Sequence, residues 1–523
     1  MGTYLEICCP QQEKEEIGGI TASELRESFS KMYDEKTLKN SMNNKSKTIE
    51  SLLFFQDSVL IGKGSGNPID KYNIEELIGK GDNGSLVYKA TLKSNGEKRA
   101  FKVIQKNEKT LNKTQELLKE IDLFEETDNP YIVKLYEFYD SPKYVCLVNE
   151  YVKGGNLYDR LLKEKKFNEL QTAIIIFQIL SALSFCHSNK IIHRNLTMQN
   201  ILIENSKDNF VHIKINDFSS SSKMIKGVEM GDSFGNLKYT APEVLEGKYT
   251  ETRDIWSVGI IMYTLLTGIF PFENKDLLKL KALIEIGSID YDVQPLNKLS
   301  KDCINFLKEL LNRNKNRISA QKALEHNWFK KLNIKEKLTF VPYDKIEKII
   351  NNIFKYKPKK TLQKLCFSYL TRNLKNEEIE TATNLFCQID IDNDGKVQQK
   401  EFVKNFKEII EKTGKKIDEK YLKDLFNHID YDRSGNIDYS EFITAAVDKN
   451  LIVNDQNLKE SFDFFDKNKS GLITLSDLQI VFKKFKGFSA EEFNNIIKEV
   501  DKDGDDEITF EEYKDMMKAI TNE

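Results

Sequence analysis

Four short Asp-rich segments towards the C-terminal end of the chain constrain its fold more than any other feature. They begin at Asp390, Asp430, Asp466 and Asp501, roughly 35 to 40 residues apart. A repeat of this length indicates one supersecondary unit that is used several times. Within each segment, oxygen-bearing side chains recur at positions 1, 3, 5, 9 and 12 of a twelve-residue frame. This is the spacing with which one loop wraps around a divalent cation.

The first two segments carry a complete ligand set for Ca²⁺, which prefers oxygen ligands. The ligands predicted for the first loop are Asp390, Asp392, Asp394, the backbone carbonyl of Lys396, Gln398 and Glu401. Those predicted for the second loop are Asp430, Asp432, Ser434, the backbone carbonyl of Asn436, Asp438 and Glu441. Gly395 and Gly435 occupy position 6, where such a loop turns sharply. Both loops also have an apolar residue at position 8, which favours pairing of the two loops.

The third and fourth segments depart from this pattern. The third loop offers Asp466, Asn468, Ser470, the backbone carbonyl of Leu472, Thr474 and Asp477. Because this loop has two carboxylates and ends in an aspartate that is shorter than glutamate, we expect its calcium site to be the weakest, or tilted towards Mg²⁺. The fourth loop offers Asp501, Asp503, Asp505, the backbone carbonyl of Glu507, Thr509 and Glu512. Its position 6 is Asp506, which tolerates a positive φ at some strain, so we expect calcium binding here too.

The four loops together resemble those of the calmodulin-like EF-hand family. The resemblance implies an all-α region with two pairs of hands, over residues 379–446 and 455–521. The alternative is a set of acidic surface loops, but such loops have no reason to repeat the ligand positions in register.

Residues 72–331 have a different pattern, with strand-like runs first and long helical runs later. The predicted strands are Tyr72–Ile78, Lys98–Ile104 and Tyr144–Glu150, and a long predicted helix is Glu169–His187. The pattern therefore predicts a small β-rich lobe followed by a larger helical lobe.

A glycine-rich loop follows the first of these strands. Gly79, Gly81 and Gly84 form a G-x-G-x-x-G pattern. A dinucleotide-binding fold requires a helix next, whereas here another strand follows, which favours a glycine loop over ATP phosphates. Lys102 lies on the strand after that, and Glu120 is its candidate ion-pair partner, because a buried lysine stays charged when it is paired.

Further motifs fall in order along the same region. They are Arg194, Asn200, Asp217-Phe218, Ala241-Pro242-Glu243, Asp254, Trp256 and Arg317. This region resembles a eukaryotic protein kinase domain, and the chain from residue 72 to residue 521 resembles the calcium-dependent protein kinases of plants and protists. The resemblance implies an α+β bilobal protein kinase fold over residues 72–331, followed by an all-α four-EF-hand domain.

The resemblance also implies a role for each matching residue. Lys102 would hold the α- and β-phosphates of ATP, Glu120 would fix Lys102, and Glu150 and Tyr151 would lie at the hinge beside adenine. Asn200 and Asp217 would ligate Mg²⁺. Glu243 would pair with Arg317 to brace the helical lobe. The implied cofactors are therefore ATP, Mg²⁺ and Ca²⁺.

Three positions of the catalytic cluster depart from the family pattern. The family has aspartate where this chain has Asn195, lysine where it has Thr197, and threonine where it has Asn236. An amide takes no proton at neutral pH, and Thr197 supplies no cation for the γ-phosphate. Ser219 also replaces the glycine that follows Asp217-Phe218. The sequence therefore predicts a degenerate catalytic loop beside a retained nucleotide and magnesium apparatus.

Residues 340–378 form a basic junction with two apolar stripes at helical spacing. The first stripe is Ile346, Ile349, Ile350 and Ile353, and the second, after Pro358, is Leu362, Leu365, Cys366, Tyr369 and Leu370. We expect this autoinhibitory segment to lie against the large lobe without calcium, and to be taken up by the EF-hands when calcium opens them. A plain linker helix with a solvated charged face is the alternative.

The polar residues 1–70 are predicted to form a flexible N-terminal extension. Gly2 opens a myristoylation motif, but Glu6 stands where that motif requires serine or threonine. Cys8 and Cys9 are candidate palmitoylation positions. We therefore favour a cytoplasmic protein with an ordinary tail over one attached peripherally to a membrane.

Composition excludes several functional classes. The chain has 79 Lys and Arg against 82 Asp and Glu, a net charge of −3, which argues against a general nucleic-acid binder. Its seven cysteines form no disulfide pattern, as expected in a reducing compartment. No run reaches about 18 apolar residues, so no membrane span is predicted, and residues 173–186 are interpreted as a buried core helix.

Three hypotheses follow for the function. The first is a calcium-dependent Ser/Thr kinase that phosphorylates protein substrates. The second is an ATP-binding, calcium-responsive switch or scaffold with a protein partner and little phosphoryl transfer. The third is a calcium buffer whose kinase half is only structural. Loss of the transfer cluster with retention of the ATP residues favours the second.

Overall fold

The fold is given by a computed structural model that describes residues 62–63, 67–81, 84–106, 121, 123, 127–141, 143–207, 210–224, 230, 235–313, 317–358, 360–482 and 490–519. These residues belong to two compact units. The small unit contains the described residues of 62–111 and 136–151, and the large unit contains those of 112–135 and 152–523.

The small unit is a twisted sheet with one short helix. Its elements are β1 (Gly62–Lys63), α1 (Pro68–Lys71), β2 (Tyr72–Lys80), β3 (Leu86–Leu92), β4 (Lys98–Gln105), β5 (Leu135–Asp140) and β6 (Tyr144–Glu150). The strand order is β1-β5-β6-β4-β3-β2, and β1 pairs with β5 in parallel while the other five form an antiparallel sheet. Aromatic and β-branched side chains such as Tyr72, Ile74 and Phe101 fill its core. The three strands predicted from the sequence are all present.

The end of the predicted flexible extension differs from that expectation. Gly62 and Lys63 form a parallel ladder with Glu137 and Phe138. The side chain of Asn67 accepts a hydrogen bond from the Ile69 backbone N–H and caps the short helix α1, which begins at a proline. Residues 62–63 and 67–70 of the predicted extension therefore belong to the small unit, because residues 62–63 pair with a distant strand that their own composition does not indicate.

The first half of the large unit is mostly helical. Its elements are α2 (Leu157–Glu164), α3 (Glu169–Ser188), β7 (Ile191–Ile192), β8 (Ile201–Lys207), β9 (Phe210–Ile215), β10 (Ser222–Lys223), α4 (Pro242–Leu245), α5 (Thr252–Thr267), α6 (Leu277–Ile286), α7 (Lys301–Leu310), α8 (Ala320–Leu324), α9 (Asn327–Lys331) and α10 (Ile334–Thr339). Short 3₁₀ turns cover Met198–Asn200, Leu237–Tyr239 and Leu296–Lys298.

Helix α3 is the central helix of this half. An Asn168 capping box starts it, and its residues from Thr172 to Cys186 are buried on every face. By length and composition it could cross a membrane, but 83% of its most apolar window is buried inside the protein. It is therefore the core helix that the sequence predicts, since a helix that is apolar all round packs inside a domain.

The second half of the large unit contains the junction and the calcium loops. Its elements are α11 (Tyr343–Lys355), α12 (Thr361–Arg372), α13 (Asn376–Ile389), β11 (Lys396–Gln398), α14 (Gln399–Lys412), α15 (Glu419–Ile429), β12 (Asn436–Asp438), α16 (Tyr439–Ala446), α17 (Lys449–Ile452), α18 (Asp455–Phe465), α19 (Leu475–Phe482), α20 (Ala490–Lys498) and α21 (Phe510–Lys518). The loops pair as expected through their apolar position 8, with Val397 opposite Ile437 and Ile473 bridged to Ile508.

The junction helices share one hydrophobic core with the helices of the calcium loops. The first apolar stripe of the junction, Ile346 to Ile353, is at most 6% exposed and belongs to the same cluster as Phe386, Phe442 and Phe462. Asn352 donates to the Ala446 carbonyl at 2.9 Å, and Gln363 donates to the Met516 carbonyl at 2.7 Å. The junction is therefore more than a solvated linker in this structure, because both of its helices bury an apolar face.

Candidate functional site

One buried carboxylate holds the backbone at the start of the segment from His193 to Asn200. Asp254, on α5, accepts hydrogen bonds from the backbone N–H groups of His193 at 2.9 Å and Arg194 at 3.0 Å, and lies 3.1 Å from His187 Nε2. Burial raises the pKa of the Asp254 carboxyl, but the hydrogen bond with His187 and the neighbouring positive groups outweigh it and lower the pKa overall. Asp254 therefore stays ionised and holds the backbone of this segment in place.

Arg194 adopts an unusual backbone conformation within this segment. Its φ is +65°, a region that non-glycine residues rarely occupy. The Arg194 carbonyl accepts a hydrogen bond from the Arg253 guanidinium at 2.8 Å. Gly235 packs so close that a Cβ there would lie 2.8 Å from the same carbonyl. The surrounding structure therefore imposes this strained geometry, as is common at functional sites.

The three changed positions of the catalytic cluster lie near one another. Asn195 Oδ1 accepts a hydrogen bond from the Asn236 backbone N–H at 3.3 Å. Thr197 Oγ1 accepts one from the Asn200 backbone N–H at 3.3 Å, and the Asn200 side chain donates to the Asn195 carbonyl at 3.0 Å. The side-chain oxygen of Asn236 instead accepts from the Lys238 backbone N–H. The cluster is therefore linked by neutral amides and a hydroxyl, with no carboxylate at position 195 and no cation at position 197.

The two candidate magnesium ligands lie at one end of the β8–β9 hairpin. Asn200 immediately precedes β8 and Asp217 follows β9, and Asn216 N–H donates to the Asn200 carbonyl at 2.8 Å. Asp217 has a φ of +65°, and Phe218 is buried with its ring centroid 4.9 Å from that of His193. The hairpin therefore brings the backbone at these two positions together, and both residues carry side-chain oxygens, the ligand type that Mg²⁺ prefers.

The predicted ATP residues of the small unit lie on its sheet. Lys102 is in the middle of β4, is 8% exposed, and lies opposite Val87 on β3 and Leu147 on β6. The last residue of β6, Glu150, is buried opposite Arg99, and Tyr151 follows it.

The glycine-rich loop is partly described. Gly79 lies on β2, Gly81 N–H donates to the Ser85 carbonyl at 2.8 Å, and Gly84 closes the turn with a φ of +81°. This places backbone N–H groups of the loop in a tight turn between two strands. Glu120, Gly2, Cys8 and Cys9 lie outside the described residues.

Carboxylates converge in three of the four loops. Ligand oxygens of Asp390, Asp392 and Glu401 all lie within 4.8 Å of one another, and the same holds for the equivalent residues of the second and fourth loops. Those residues are Asp430, Asp432, Glu441, Asp501, Asp503 and Glu512. In every loop, the backbone N–H at position 6 donates to the first aspartate at 2.8–3.0 Å. Each of these three loops therefore gathers negative charge around a point of its own.

In the first two loops, keeping the clustered carboxylates ionised costs free energy unless a cation is bound. Burial, with Asp394 and other neighbouring carboxylates, raises the pKa of Asp390 well above its usual value. Burial together with Asp432 raises the pKa of Asp430 to about 6. Asp390 Oδ1 is buried and has no hydrogen-bond partner among the described residues. Because a buried, unpaired carboxylate oxygen favours a cation ligand, these residues fit Ca²⁺.

In the third loop, the last carboxylate accepts hydrogen bonds from the backbone of its own loop. Asp477 is fully buried, and its Oδ1 accepts from Lys467 N–H at 3.0 Å and Asn468 N–H at 3.1 Å. Its Oδ2 accepts from Thr474 N–H at 3.0 Å. Glu441 and Glu512, at the last position of the second and fourth loops, accept backbone hydrogen bonds in the same way. What distinguishes the third loop is that it has only two carboxylates, so its place as the weakest site stays a prediction.

In the fourth loop, glycine stands at position 4 and a non-glycine residue at position 6, the reverse of the other three loops. In the first three loops, position 4 is a non-glycine residue and position 6 is glycine, and both have positive φ. In the fourth loop, Gly504 at position 4 has a φ of +81° and Asp506 at position 6 has a φ of +62°. One glycine is therefore still present at a left-handed position, so the loop keeps its shape with the strain moved to Asp506.

The first calcium loop packs directly on the central helix of the large unit. A Cβ at Gly395 would lie 2.2 Å from Cδ2 of Phe185, a buried residue of α3. The Lys335 ammonium, on α10, donates to the Asp390 carbonyl at 2.9 Å and to the Ile391 carbonyl at 3.2 Å. These long-range contacts have no local sequence signal.

Gly395→Ala is expected to lower the free energy of unfolding by about 1–3 kcal/mol more than Gly435→Ala. Both glycines occupy position 6 of a calcium loop, with φ of +78° and +84°, so both variants bear the same backbone strain. A Cβ at Gly435 meets open space, whereas at Gly395 it overlaps the Phe185 ring. Denaturant unfolding of both variants in excess calcium measures the difference. Equal losses would show that the first loop does not pack on α3 in solution.

Comparison with known proteins gives consistent matches over most of the chain. The protein kinase domain family matches residues 72–329, and the EF-hand domain pair matches residues 379–447 and 455–518. Calcium-dependent protein kinase 4 of Plasmodium falciparum (isolate 3D7) is 32% identical over 515 residues, covering 97% of this chain and 95% of that protein. Calcium-dependent protein kinase 33 of Arabidopsis thaliana is 32% identical over 451 residues, covering 86% and 84%.

Proposed function

This chain belongs to the calcium-dependent protein kinase family, and we propose that it is an ATP-binding, calcium-regulated member whose phosphoryl transfer is strongly weakened. ATP and Mg²⁺ are the cofactors of the kinase domain, and Ca²⁺ is that of the EF-hands. In this proposal the protein acts as a switch or scaffold for a protein partner.

The contact between Asn195 and Asn236 is the observation that carries this proposal. At the position where the family has its proton-accepting aspartate, an amide oxygen accepts a backbone hydrogen bond. An amide has no proton affinity at neutral pH, and a positioned general base contributes typically about 10²–10⁴-fold to a rate. Thr197 adds no positive charge, so stabilisation of the transferring phosphoryl group is weakened as well.

Nucleotide binding is retained in the proposal because its residues are retained. Lys102 would hold the α- and β-phosphates, and Asn200 with Asp217 would hold Mg²⁺. The magnesium ion would neutralise charge on the phosphates. The backbone contact between Asn216 and Asn200, at the end of the β8–β9 hairpin, supports this placement. The hydroxyl of Thr197, one of the changed residues, still accepts from the Asn200 backbone N–H.

Calcium gating is supported by the position of the junction helices. Helices α11 and α12 bury their apolar stripes among the EF-hand helices, and Tyr369 stacks on Phe464 at 4.2 Å between ring centroids. We infer that calcium favours this arrangement. Calcium loss would free the basic segment to lie against the helical lobe and block its cleft.

The second candidate function is an active Ser/Thr kinase. One observation favours it, namely that Asp254 and Arg253 still brace the backbone of the catalytic segment. Phosphoryl transfer depends mainly on positioning and charge stabilisation, so such a braced segment could keep residual turnover.

Mg-ATP is expected to stabilise the wild-type protein against thermal unfolding, by about 2.7 kcal/mol when free nucleotide is 100 times its Kd. Lys102→Met is expected to lose most of this shift, because the phosphates lose their buried cation. Lys98→Met is the matched control, since Lys98 lies on the same strand but is exposed and paired with Glu75 at 2.8 Å. Differential scanning fluorimetry with and without Mg-ATP measures all three proteins.

Two results would contradict the proposal. Absence of any nucleotide-dependent shift in the wild type would favour a calcium buffer with a structural kinase half. Calcium-stimulated peptide phosphorylation at the rate of a kinase with an intact catalytic cluster would favour the active enzyme.

A further inference from the structure

A residue from the kinase half of the chain caps the helix that completes the second calcium loop. The backbone N–H of Ser440, the second residue of α16, donates to Asp128 Oδ2 at 2.7 Å. Asp128 belongs to residues 127–135, which lead into β5 and end at its first residue, and which we call the capping segment. The helix has its own cap as well, since Asp438 Oδ1 accepts from the Glu441 N–H at 2.9 Å. Two carboxylates, 310 residues apart in sequence, therefore satisfy the first turn of one helix.

The capped turn carries a predicted calcium ligand. Glu441 directly follows Ser440, and its two carboxylate oxygens accept from the backbone N–H groups of Tyr431 at 2.9 Å and Asp438 at 3.0 Å. In a loop of this kind, the residue at position 12 binds the ion with both oxygens. Any loosening of the first turn of α16 therefore moves both oxygens away from the ion.

The capping segment is attached to the calcium-binding region at two further points. The Arg372 guanidinium, at the end of junction helix α12, donates to the Leu135 carbonyl at 2.6 Å. Tyr131 is half-buried, and its phenol interacts with Cys387 on α13, the helix that enters the first calcium loop. The segment therefore has one contact each with the first hand, the second hand and the junction.

We propose that Asp128 is a positioning residue for the second calcium site, and that calcium binding there and the position of the capping segment are thermodynamically coupled. The proposal rests on the calcium binding proposed above and specifies how the kinase half senses it. Coupling of this kind is reciprocal. Asp128 strengthens calcium binding by some factor, and calcium must stabilise the contact with the capping segment by the same factor.

Calcium titration of the full-length protein against a chromophoric chelator tests the first half of this reciprocity. Asp128→Ala is expected to weaken one calcium site about 3- to 10-fold, the size that corresponds to the typical cost of about 1 kcal/mol for losing a helix cap. Asp128→Asn keeps an acceptor at the same place and is expected to recover most of the affinity. Asp276→Ala is the matched control, because Asp276 caps α6 at 2.9 Å from the Leu278 nitrogen and, among the described residues, forms no hydrogen bond with a calcium loop.

Assignment to the second loop comes from a double variant. In a Glu441→Gln background, Asp128→Ala is expected to have no further effect on calcium affinity, because the site that it positions is already lost. An unchanged affinity in Asp128→Ala alone, or equal losses in the Asp128→Ala and Asp276→Ala variants, would overturn the proposal. If the wild-type protein binds no calcium, the proposed calcium regulation fails as well, so the two failures are distinguishable.

Hydrogen exchange, first of the wild-type protein and then of Asp128→Ala, tests the second half of this reciprocity. The Val133 amide donates to the Ile215 carbonyl at 2.9 Å, which makes it a reporter inside the capping segment. Calcium is expected to slow exchange in this segment by the same 3- to 10-fold factor, and the slowing is expected to disappear in Asp128→Ala. Exchange that is unaffected by calcium in a wild type that binds calcium would contradict the coupling, even if Asp128→Ala fails to fold.

Discussion

Replacing Asn195 with aspartate and Thr197 with lysine in one protein is expected to raise the rate of phosphoryl transfer about 10²–10⁴-fold. The backbone that must present these groups is already in place. Asp254 holds the His193 and Arg194 amides, and Arg253 holds the Arg194 carbonyl at 2.8 Å. The aspartate would supply a proton acceptor, and the lysine a cation in place of the buried Thr197.

Single-turnover transfer from Mg-ATP to a basic peptide, in calcium, measures the gain. The matched control is Asn95→Asp with Thr250→Lys, which makes the same two chemical changes at exposed positions. Adding Lys102→Met to the restored protein is expected to abolish transfer, which ties the activity to this nucleotide site. A wild type that already transfers at the restored rate would refute the proposal of weakened catalysis.

Adding threonine at position 236 tests whether the third changed residue limits the restored enzyme. The Asn236 side chain caps its own turn through the Lys238 N–H, whereas its backbone N–H contacts Asn195 Oδ1. A threonine hydroxyl could reach both the restored aspartate and lysine, as it does in the family pattern. We expect the rate of phosphoryl transfer to be higher in the triple variant than in the double variant.

Calcium is expected to slow amide exchange in the junction helices by about 100-fold when its free concentration is 100 times Kd, equivalent to about 2.7 kcal/mol. The physical reason is the shared core, in which the Ile346–Ile353 stripe packs with EF-hand aromatics. Opening of the junction disrupts that core and releases the bound ion, so ion binding opposes opening. Exchange mass spectrometry over residues 343–372, with calcium or chelator, measures the effect.

Two comparisons make this result specific. Helix α7, Lys301–Leu310, lies in the kinase helical lobe and is the internal reference for calcium-independent exchange. Glu441→Gln is expected to reduce the protection of the junction, because the buried Glu441 is the predicted last ligand of the second loop. Identical amide exchange of the junction with calcium and with chelator would contradict the proposed calcium gating.

The sequence alone was sufficient wherever the relevant interactions are local. The ligand spacing of each calcium loop is contained in twelve residues, so the convergence of Asp390 with Glu401 and of Asp430 with Glu441 could be predicted. The strands of the small unit and the core helix α3 follow from hydrophobic patterns. The resemblance to a kinase domain supplied the more distant pairing of Glu243 with Arg317, which the structure contains at 2.6 Å.

The tertiary structure alone decided how these parts are joined. Asp128 meets Ser440, Phe185 meets Gly395, and Arg372 meets Leu135, although hundreds of residues separate the members of each pair. When an aspartate lies outside a helical pattern, the sequence around it does not indicate which helix it caps. Such contacts depend on the packing of whole elements, whereas propensity and ligand spacing act over a few residues, and this difference in range separates what could be predicted from what could not.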